Sequence, residues 1–331
     1  MHLRILGSAA GGRFPQWNCG CENCAGVREN ARDNARKNAS ADPRSDVGMH
    51  EERHAFSAKT RTQAQLALSA DGSSWFLAGA SPDLASQIEA TPALHPRSRR
   101  DSPIAGVVLA SADLDHVLGL LLLRELQPLR VYAAPSILRI LREENSMFSM
   151  LNRADPQVVW SAINPATTFP LQDAAGNDLA LCCELYPLDG RYPKYVRTKD
   201  LPSEDATLAL FFTSKSATSK TGACIAYLPA VGQLDDSLLA KLDGLDVLLI
   251  DGTFWSDDEL SRHDPAAERA QQMGHIPVEE SLRLLKNINV GRRIYIHINN
   301  TNPILNEAGP EHRAVLDAGF EIAEDNWHLE L

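Results

Sequence analysis

Residues 107–126, with the sequence VVLASADLDHVLGLLLLREL, constrain the fold of this chain more than any other stretch. The stretch begins with a short apolar run typical of a buried strand and ends with a leucine-rich segment typical of a helix. Between the two lie Asp113, Asp115 and His116. Polar side chains at such a junction are held by rigid elements at the rim of a sheet, where functional sites form. Either aspartate can also cap the helix, but one cap suffices and His116 has no capping role.

The composition is that of a globular protein without the electrostatics of a nucleic-acid-binding protein. The 331 residues are 44% hydrophobic and 23% charged, which allows one large α/β domain or two smaller ones. The formal net charge of −11 excludes the broad basic face that nucleic acids require. No apolar run approaches the roughly 20 residues of a membrane span, and residues 1–7 read as a strand rather than a signal peptide. We therefore expect a cytoplasmic protein that does not insert into a membrane.

The predicted elements alternate as in an α/β protein. Strands are predicted at residues 3–6, 63–70, 74–78, 107–110, 129–134, 158–163, 179–187, 207–213, 224–228, 246–250 and 293–296. Helices are predicted after Ser81, after His116, and at residues 136–143 (with Ser136 as N-cap), 234–241 and 278–286.

Two polar segments stand outside this pattern. Residues 25–60 have little periodicity, which indicates a partly disordered surface insertion at about 28–60. Residues 190–195 form a loop that contains Arg191 and Lys194, and its composition fits a substrate-binding loop or a plain exposed loop equally well. The small residues at 7–12 match no phosphate-binding motif and predict a tight loop that lines a cavity.

Three cysteines follow the first strand in the order C-x-C-x-x-C. Cys19, Cys21 and Cys24 are close enough in sequence to converge on one tetrahedral ion, and zinc prefers such thiolates together with a fourth ligand. Unbound thiols or a redox pair are the alternatives. The other three cysteines, Cys182, Cys183 and Cys224, lie in apolar strand-like runs and are predicted to be small core residues.

Polar groups recur at three separate strand ends. Asp115 and His116 follow one strand, Asp251 ends another, and His297 follows a third. Ligands that converge from distant strand ends are how a sheet builds a metal site or an acid–base site. The sequence therefore predicts one site made from these residues.

Several motifs carry a family resemblance. The pattern S-x-D-x-D-H-x-x-G-L at residues 111–120 resembles a degenerate form of the H-x-H-x-D-H signature of the metallo-β-lactamase superfamily. D-G-T-F at 251–254, M-G-H at 273–275 and a strand ending at His297 are similar to its ribonuclease Z-like and phosphonate-pathway phosphodiesterase branches. Almost end to end, through stretches such as FPQWNCGCENC, RTQAQLALS, ASPDLASQI, DLDHVLGL, QMGHIPV and IHINNTNPIL, the chain resembles the family of pyrroloquinoline quinone (PQQ) synthesis B proteins.

The resemblance implies a fold and an active site. The fold is a single αββα sandwich over residues 1–331, with two mixed β-sheets flanked by helices and the polar insertion. The leading histidines that hold the first metal in the superfamily are replaced by Ser111 and Asp113, so the resemblance implies that this first site is lost. Asp115, His116 and His297 remain at the second site, and two histidines with one carboxylate are the ligand set of non-haem Fe(II) oxygenases.

The resemblance also implies roles for further residues. Asp113 would be an additional ligand or orient a water. His275 would close the zinc site of the three cysteines, the alternative being an active-site acid or base. Asp251, Asn299 and Asn300 would lie beside the iron ligands, and Arg191 and Lys194 would bind substrate carboxylates.

The function implied is an iron- and oxygen-dependent hydroxylase in PQQ biosynthesis. Its substrate would be the tyrosine ring of a Glu–Tyr-derived precursor, with O₂ as co-substrate and with a second copy or other pathway proteins as partners. A non-catalytic carrier that helps PQQ or its precursor reach the periplasm is the first alternative. A phosphodiesterase or other hydrolase is the second, and it needs two metals.

Overall fold

The chain folds into two facing β-sheets with helices on their outer sides. A computed structural model describes residues 1–39, 56–153, 157–215, 222–262 and 264–331. The strands are β1 His2–Gly7, β2 Gln65–Ser69, β3 Trp75–Ala78, β4 Ile104–Val108, β5 Leu129–Ala133, β6 Val158–Ala162, β7 Thr168–Gln172, β8 Asp178–Leu188, β9 Thr207–Ser214, β10 Cys224–Leu228, β11 Val247–Asp251, β12 Arg292–Ile296, β13 Glu321–Ile322 and β14 Trp327–Glu330. The helices are α1 Glu22–Ala39, α2 Leu84–Glu89, α3 Leu114–Val117, α4 Pro135–Arg142, α5 Asp236–Leu242, α6 Val278–Leu284 and α7 Pro310–Asp317.

Each sheet has seven strands in the described part of the chain and is half antiparallel, half parallel. The orders are β14-β1-β2-β3-β4-β5-β6 and β13-β12-β11-β10-β9-β8-β7. In the first sheet β3 to β6 run parallel, and in the second β10 to β13 do. The fold is thus the predicted αββα sandwich of two mixed sheets. The parallel halves matter most for function, because they contain β4, β11 and β12. The carboxyl ends of these three strands lead into the loops of the candidate site.

The core has two layers, and the strands of the second sheet contribute to both. Leu249 of β11 packs in the larger cluster between the sheets, whereas Leu248 and Ile250 pack in the cluster beneath the helices. Successive side chains of a strand point to opposite faces, so a strand covered on both sides must be apolar throughout. All five residues of β11 are buried. This burial holds the end of the strand, Asp251, in a fixed position.

The segment after β4 differs from the predicted helix. Only α3 is α-helical, and residues 118–123 continue as a 3₁₀-helix. Gly119 explains the close packing: a Cβ atom there would lie 2.2 Å from the carbonyl oxygen of Ser81. The capping interpretation is also wrong. Asp113 occupies the N-cap position of α3, but its side chain makes no capping hydrogen bond.

Two further local predictions are corrected. Residues 28–39, expected in the surface insertion, are part of α1, because Cys24 and Val27 bury one face of its first turns in the second core cluster. The rest of the predicted insertion up to residue 55 lies outside the described residues. Ser136 does not cap α4. The N-cap is Ala134, and the Ser136 hydroxyl donates to Asp205 Oδ2 over 2.6 Å.

Candidate metal centre

The three predicted iron ligands lie together although they come from different sheets. Asp115 and His116 follow β4 in the first sheet, and His297 follows β12 in the second. One ligand atom of each lies within 4.8 Å of the others. The two sheets are joined at this point, because the Leu208 N–H at the start of β9 donates to the Ala110 carbonyl over 2.9 Å. The strand ends therefore meet at one group of potential metal ligands.

His116 is oriented as a metal ligand by a serine and a carboxylate. The Ser111 hydroxyl donates to Asp113 Oδ2 over 2.7 Å and, having used its proton, accepts from His116 Nδ1 over 2.9 Å. This fixes the tautomer with the Nε2 lone pair free. His116 Nε2 is buried and has no hydrogen-bond partner among the described residues. A buried nitrogen of this kind costs free energy unless a ligand satisfies it, so His116 fits a metal that is not part of the structure.

His297 is oriented in the same way by the second sheet. The shortest contact of the Thr253 hydroxyl, 2.6 Å, is to Asp251 Oδ1, and His297 Nδ1 lies 2.9 Å from the same hydroxyl. His297 Nε2 then faces Asp115 Oδ2 at 3.1 Å. His297 adopts a left-handed backbone with φ of 58°, which is unusual outside glycine and marks a position held by its surroundings.

Both histidines are thus backed by a hydroxyl and an aspartate. Outer partners of this type raise ligand basicity and hold the ring against rotation. Ser111, at the position of the first histidine of the superfamily signature, therefore orients the His116 ring through its hydroxyl. Thr253 was not singled out from the sequence; its position two residues after Asp251, at the end of a buried strand, is the signal that could have identified it.

His275 lies in the candidate centre and not with the cysteines. Its Nδ1 is 2.7 Å from Asp251 Oδ2, and its ring stacks on that of His297 with 5.8 Å between ring centroids. The structure therefore does not bring His275, predicted as the fourth zinc ligand, to the three cysteines. The physical reason is Asp251, a fully buried carboxylate at the end of β11 that binds the imidazole. Asp251, His275 and His297 form a second group whose ligand atoms lie within 4.8 Å of one another.

The buried charges of the centre influence each other strongly. Burial alone raises the pKa of Asp115, but His116 and His297 outweigh it and hold that pKa below its usual range. Burial and the neighbouring Asp115 charge raise the pKa of Asp113. Burial alone lowers the pKa of His275, and Asp251 reverses the effect, so the pKa of His275 is raised. An anionic Asp115 is the form in which this carboxylate binds a cation.

Loops from two other regions lie against the centre. Asp115 Oδ2 would lie 3.3 Å from a Cβ atom at Gly11, so the glycine-rich turn after β1 lines the site as expected. The Tyr195 hydroxyl donates to the carbonyl of Ala112, and burial raises the pKa of Tyr195 to about 12. The sequence did not identify Tyr195, which ties the loop after β8 to the loop that carries the ligands.

The predicted substrate residues occupy different places. Arg191 lines a cavity of about 550 Å³ together with Gly274, the residue before His275. Lys194 is 90% exposed and pairs with Glu268 at 3.3 Å, which uses its charge outside the centre. Asn299 donates to Thr301 Oγ1 over 2.6 Å. Of this set Arg191 is the residue best placed to reach a molecule bound near His275.

The three cysteines form a separate site. The sulfur atoms of Cys19, Cys21 and Cys24 lie within 4.8 Å of one another. Asn300, expected beside the iron ligands, instead places its Nδ2 3.1 Å from the sulfur of Cys19. Burial, and to a smaller extent the neighbouring sulfurs, raise the pKa of Cys24 to about 12.

Comparisons with known proteins agree with this architecture. The family model described as a β-lactamase superfamily domain matches residues 74–298. Coenzyme PQQ synthesis protein B of Pseudomonas putida KT2440 is 36% identical, and that of Acinetobacter baylyi is 34% identical; each alignment covers all of both chains.

Solved structures give the same result. A zinc-bound PqqB from Methylobacterium extorquens superimposes with a TM-score of 0.83 at 35% identity, with full coverage of both chains. A diphosphatase of the PhnP family, at a TM-score of 0.63 and 18% identity over the whole chain and 96% of its own, shares the fold. In the described residues no helix is both long and apolar enough to cross a membrane. The chain belongs to the coenzyme PQQ synthesis protein B family of the β-lactamase superfamily.

Proposed function

We propose that this protein is a non-haem Fe(II)- and O₂-dependent hydroxylase that acts on the tyrosine ring of a Glu–Tyr-derived PQQ precursor. One observation carries the proposal: Asp115, His116 and His297 form a two-histidine, one-carboxylate group in which each imidazole presents Nε2. This donor set with open positions is typical of Fe(II) oxygenases. Iron held there would supply the activation of dioxygen.

The residues around the ligands have separate tasks in this proposal. Ser111 and Thr253 hold the imidazole tautomers, and Asp113 keeps the Ser111 proton directed away from His116. His275, fixed through Nδ1 by Asp251, makes no Nε2 hydrogen bond with the described residues and can hold or release a proton toward a bound ring. Arg191 in the adjacent cavity would bind a precursor carboxylate.

The thiol site has a structural task. Cys19, Cys21 and Cys24 would hold zinc, which prefers thiolates in closed tetrahedral sites, and the family includes a zinc-bound structure. Such a site would fasten the segment before α1 to the loop after β12. It provides no place for dioxygen and is therefore not the site of the proposed reaction.

Oxygen consumption tests the proposal. Protein loaded with Fe(II) under anaerobic conditions is exposed to O₂ and a two-electron reductant such as ascorbate, with and without a tyrosine-containing precursor, because one oxygen atom enters the ring and the other leaves as water. We expect uptake that depends on the precursor and a hydroxylated product detected by mass spectrometry. His116→Ala, which removes one ligand, should abolish both, whereas Lys194→Ala, outside the centre, should leave them intact.

Two results would favour the alternatives. A protein that binds PQQ or its precursor but consumes no oxygen with it is a carrier. Hydrolysis of a phosphodiester after addition of Zn²⁺ or Mn²⁺, with no oxygen uptake, indicates a hydrolase.

A further inference from the structure

We infer that Tyr227 is a further binding residue of the candidate metal centre, whose hydroxyl donates a hydrogen bond to a small oxygen-bearing ligand held there. The inference rests on the proposed function and assigns one more residue to the same site. Tyr227 is the fourth residue of β10 and is only 1% exposed. It packs in the larger core cluster, between the two sheets. Its phenol is therefore enclosed by the sheets and not open to solvent.

The register of β10 and β11 places Tyr227 beside the end of β11. Tyr227 pairs with Leu249, and both side chains pack between the sheets. Side chains two residues apart on a strand share a face, so Asp251, which ends β11, points from the same face as Leu249. Asp251 is the carboxylate that contacts Thr253 and His275. The phenol thus lies on the side of the second sheet that faces the first sheet, where two of the three candidate metal ligands arise.

The charges around the hydroxyl support the same placement. Burial has the largest effect on the pKa of Tyr227 and raises it, and the negative charges of Asp115 and Asp251 raise it further. These two carboxylates belong to different sheets, and both are part of the centre. A hydroxyl influenced by both lies near the point where the strand ends meet. Because its pKa is raised, the phenol keeps its proton and acts as a hydrogen-bond donor.

The hydroxyl of Tyr227 has no acceptor in the part of the chain that the structure describes. The two other buried tyrosines of that part are paired. The Tyr132 hydroxyl donates to the Gln172 carbonyl over 3.1 Å, and the Tyr295 hydroxyl lies 2.8 Å from that of Ser281. Buried polar groups are nearly always paired, because an unpaired one costs free energy. The missing partner of Tyr227 is therefore a molecule from outside the chain.

A second unsatisfied atom points to the same ligand site. His116 Nε2 is buried and has no partner among the described residues, and a metal would satisfy it. With Asp115, His116 and His297 as its ligands, a metal keeps open positions. Water or a diatomic molecule in such a position offers an oxygen acceptor and fits the enclosed space beside the phenol. Tyr227 would therefore bind and orient this small ligand and not the precursor.

Nitric oxide, a stable diatomic ligand of Fe(II), tests the placement of the hydroxyl without turnover. Fe(II)-loaded protein is titrated with nitric oxide in the absence of O₂ and precursor, and the N–O stretching frequency is recorded in H₂O and D₂O. The variants are Tyr227→Phe, which removes only the hydroxyl, and Tyr132→Phe, which removes a paired hydroxyl outside the centre. The Fe(II) affinity of each protein and the thermal unfolding of its metal-free form are measured alongside.

Tyr227→Phe should weaken nitric oxide binding about three- to tenfold, the equivalent of one hydrogen bond. Its N–O frequency should shift and lose the sensitivity to D₂O that the wild type shows, whereas its Fe(II) affinity should stay unchanged. The metal-free variant should unfold at the wild-type temperature or above it, because it loses an unpaired polar group. Tyr132→Phe should show the reverse, with a lower unfolding temperature and wild-type nitric oxide binding.

Wild-type nitric oxide affinity and N–O frequency in Tyr227→Phe would overturn the inference, because the hydroxyl would not reach the ligand. A metal-free Tyr227→Phe protein that unfolds at a lower temperature would also overturn it, since the hydroxyl would then have a partner within the chain. The proposed hydroxylase can fail separately. A wild type whose nitric oxide signals depend on Tyr227, but which consumes no oxygen with the precursor, would support the inference and contradict hydroxylation.

A crystal structure of the zinc-loaded protein gives a reading that does not depend on iron. An ordered oxygen atom of a water or other small ligand should lie about 2.5–3.0 Å from the Tyr227 hydroxyl oxygen. Absence of any such atom would overturn the inference.

Discussion

At the scale of single residues, the centre depends on hydroxyl groups that bind no metal. Ser111 and Thr253 each lie between an imidazole Nδ1 and a carboxylate. Sequence reasoning singled out the candidate ligands Asp115, His116 and His297, which the structure brings together, because acids and histidines at strand ends are conspicuous. It did not identify Thr253, since an isolated threonine after a strand has no distinctive pattern and acquires its role only when β11 and β12 are neighbours.

The first prediction concerns these hydroxyls. Ser111→Ala and Thr253→Val should each lower the affinity of the centre for Fe(II) by about 10- to 100-fold, because the imidazole loses the acceptor that fixes its tautomer. Thr253→Ser keeps the hydroxyl and should restore binding. Anaerobic titration with a chelator measures the affinity. Unchanged affinity in Thr253→Val would show that the hydroxyl does not orient His297.

The second prediction concerns Glu259, a carboxyl that is only 5% exposed. Its oxygens accept from the Trp255 N–H and the Thr301 hydroxyl, but burial outweighs both and raises its pKa from 4.5 to about 7. The folded state therefore binds a proton that the unfolded state releases above pH 4.5. The free energy of unfolding should fall as pH rises from about 4.5 to 7, by about 3 kcal/mol in total from this group.

A substitution isolates this effect. Glu259→Gln cannot ionise, so its free energy of unfolding should fall by about 3 kcal/mol less between pH 5 and pH 8 than that of the wild type. Urea denaturation at the two pH values measures the difference. Asp258→Asn, at a more exposed neighbouring side chain, is the control. A wild type and Glu259→Gln with parallel pH profiles would show that Glu259 has no raised pKa.

At the scale of elements, the strands were easier to predict than the helices. The hairpin of β2 and β3 and the buried strands β10, β11 and β12 were all predicted near their observed bounds, because apolar runs covered on both sides leave a clear pattern. The strand β7 was missed, since Pro170 interrupts it. The amphipathic pattern after β4 predicted a helix, but α3 has only one turn. The backbone of residues 80–81 approaches the chain closely at Gly119, just after α3.

The third prediction tests this close approach. Gly119→Ala would place a Cβ atom 2.2 Å from the Ser81 carbonyl oxygen, so the loops must separate. We expect a loss of about 3 kcal/mol in the free energy of unfolding. Gly20→Ala, whose Cβ would meet nothing within 4 Å, should cost little. Equal stability of the two variants, measured by denaturant unfolding, would contradict the packing described for Gly119.

At the scale of the whole molecule, a segment near the N-terminus and the loop after β12 meet at the thiol site. Cys19, Cys21 and Cys24 precede or begin α1, and they contact the loop after β12 through Asn300. The sequence predicted a metal site of three thiols from spacing alone. It could not show that Asn300 and not His275 approaches them, because that choice is made by Asp251 in a distant strand.

The fourth prediction follows from this connection. Cys21→Ser should lose zinc and unfold at a lower temperature, because a structural zinc contributes directly to folding free energy. Cys182→Ser, at a cysteine outside the thiol group, is the matched control and should keep its zinc. Metal analysis and thermal unfolding measure both properties. A Cys21→Ser protein with wild-type zinc content would contradict the thiol site.

The most direct test of the central claim is to locate the iron. Crystals grown and loaded with Fe(II) without oxygen, measured at the iron absorption edge, should show one anomalous peak within bonding distance of Asp115, His116 Nε2 and His297 Nε2. A peak bound instead by Asp251 and His275, or two peaks bridged in the centre, would contradict a mononuclear iron site built from the ends of β4 and β12.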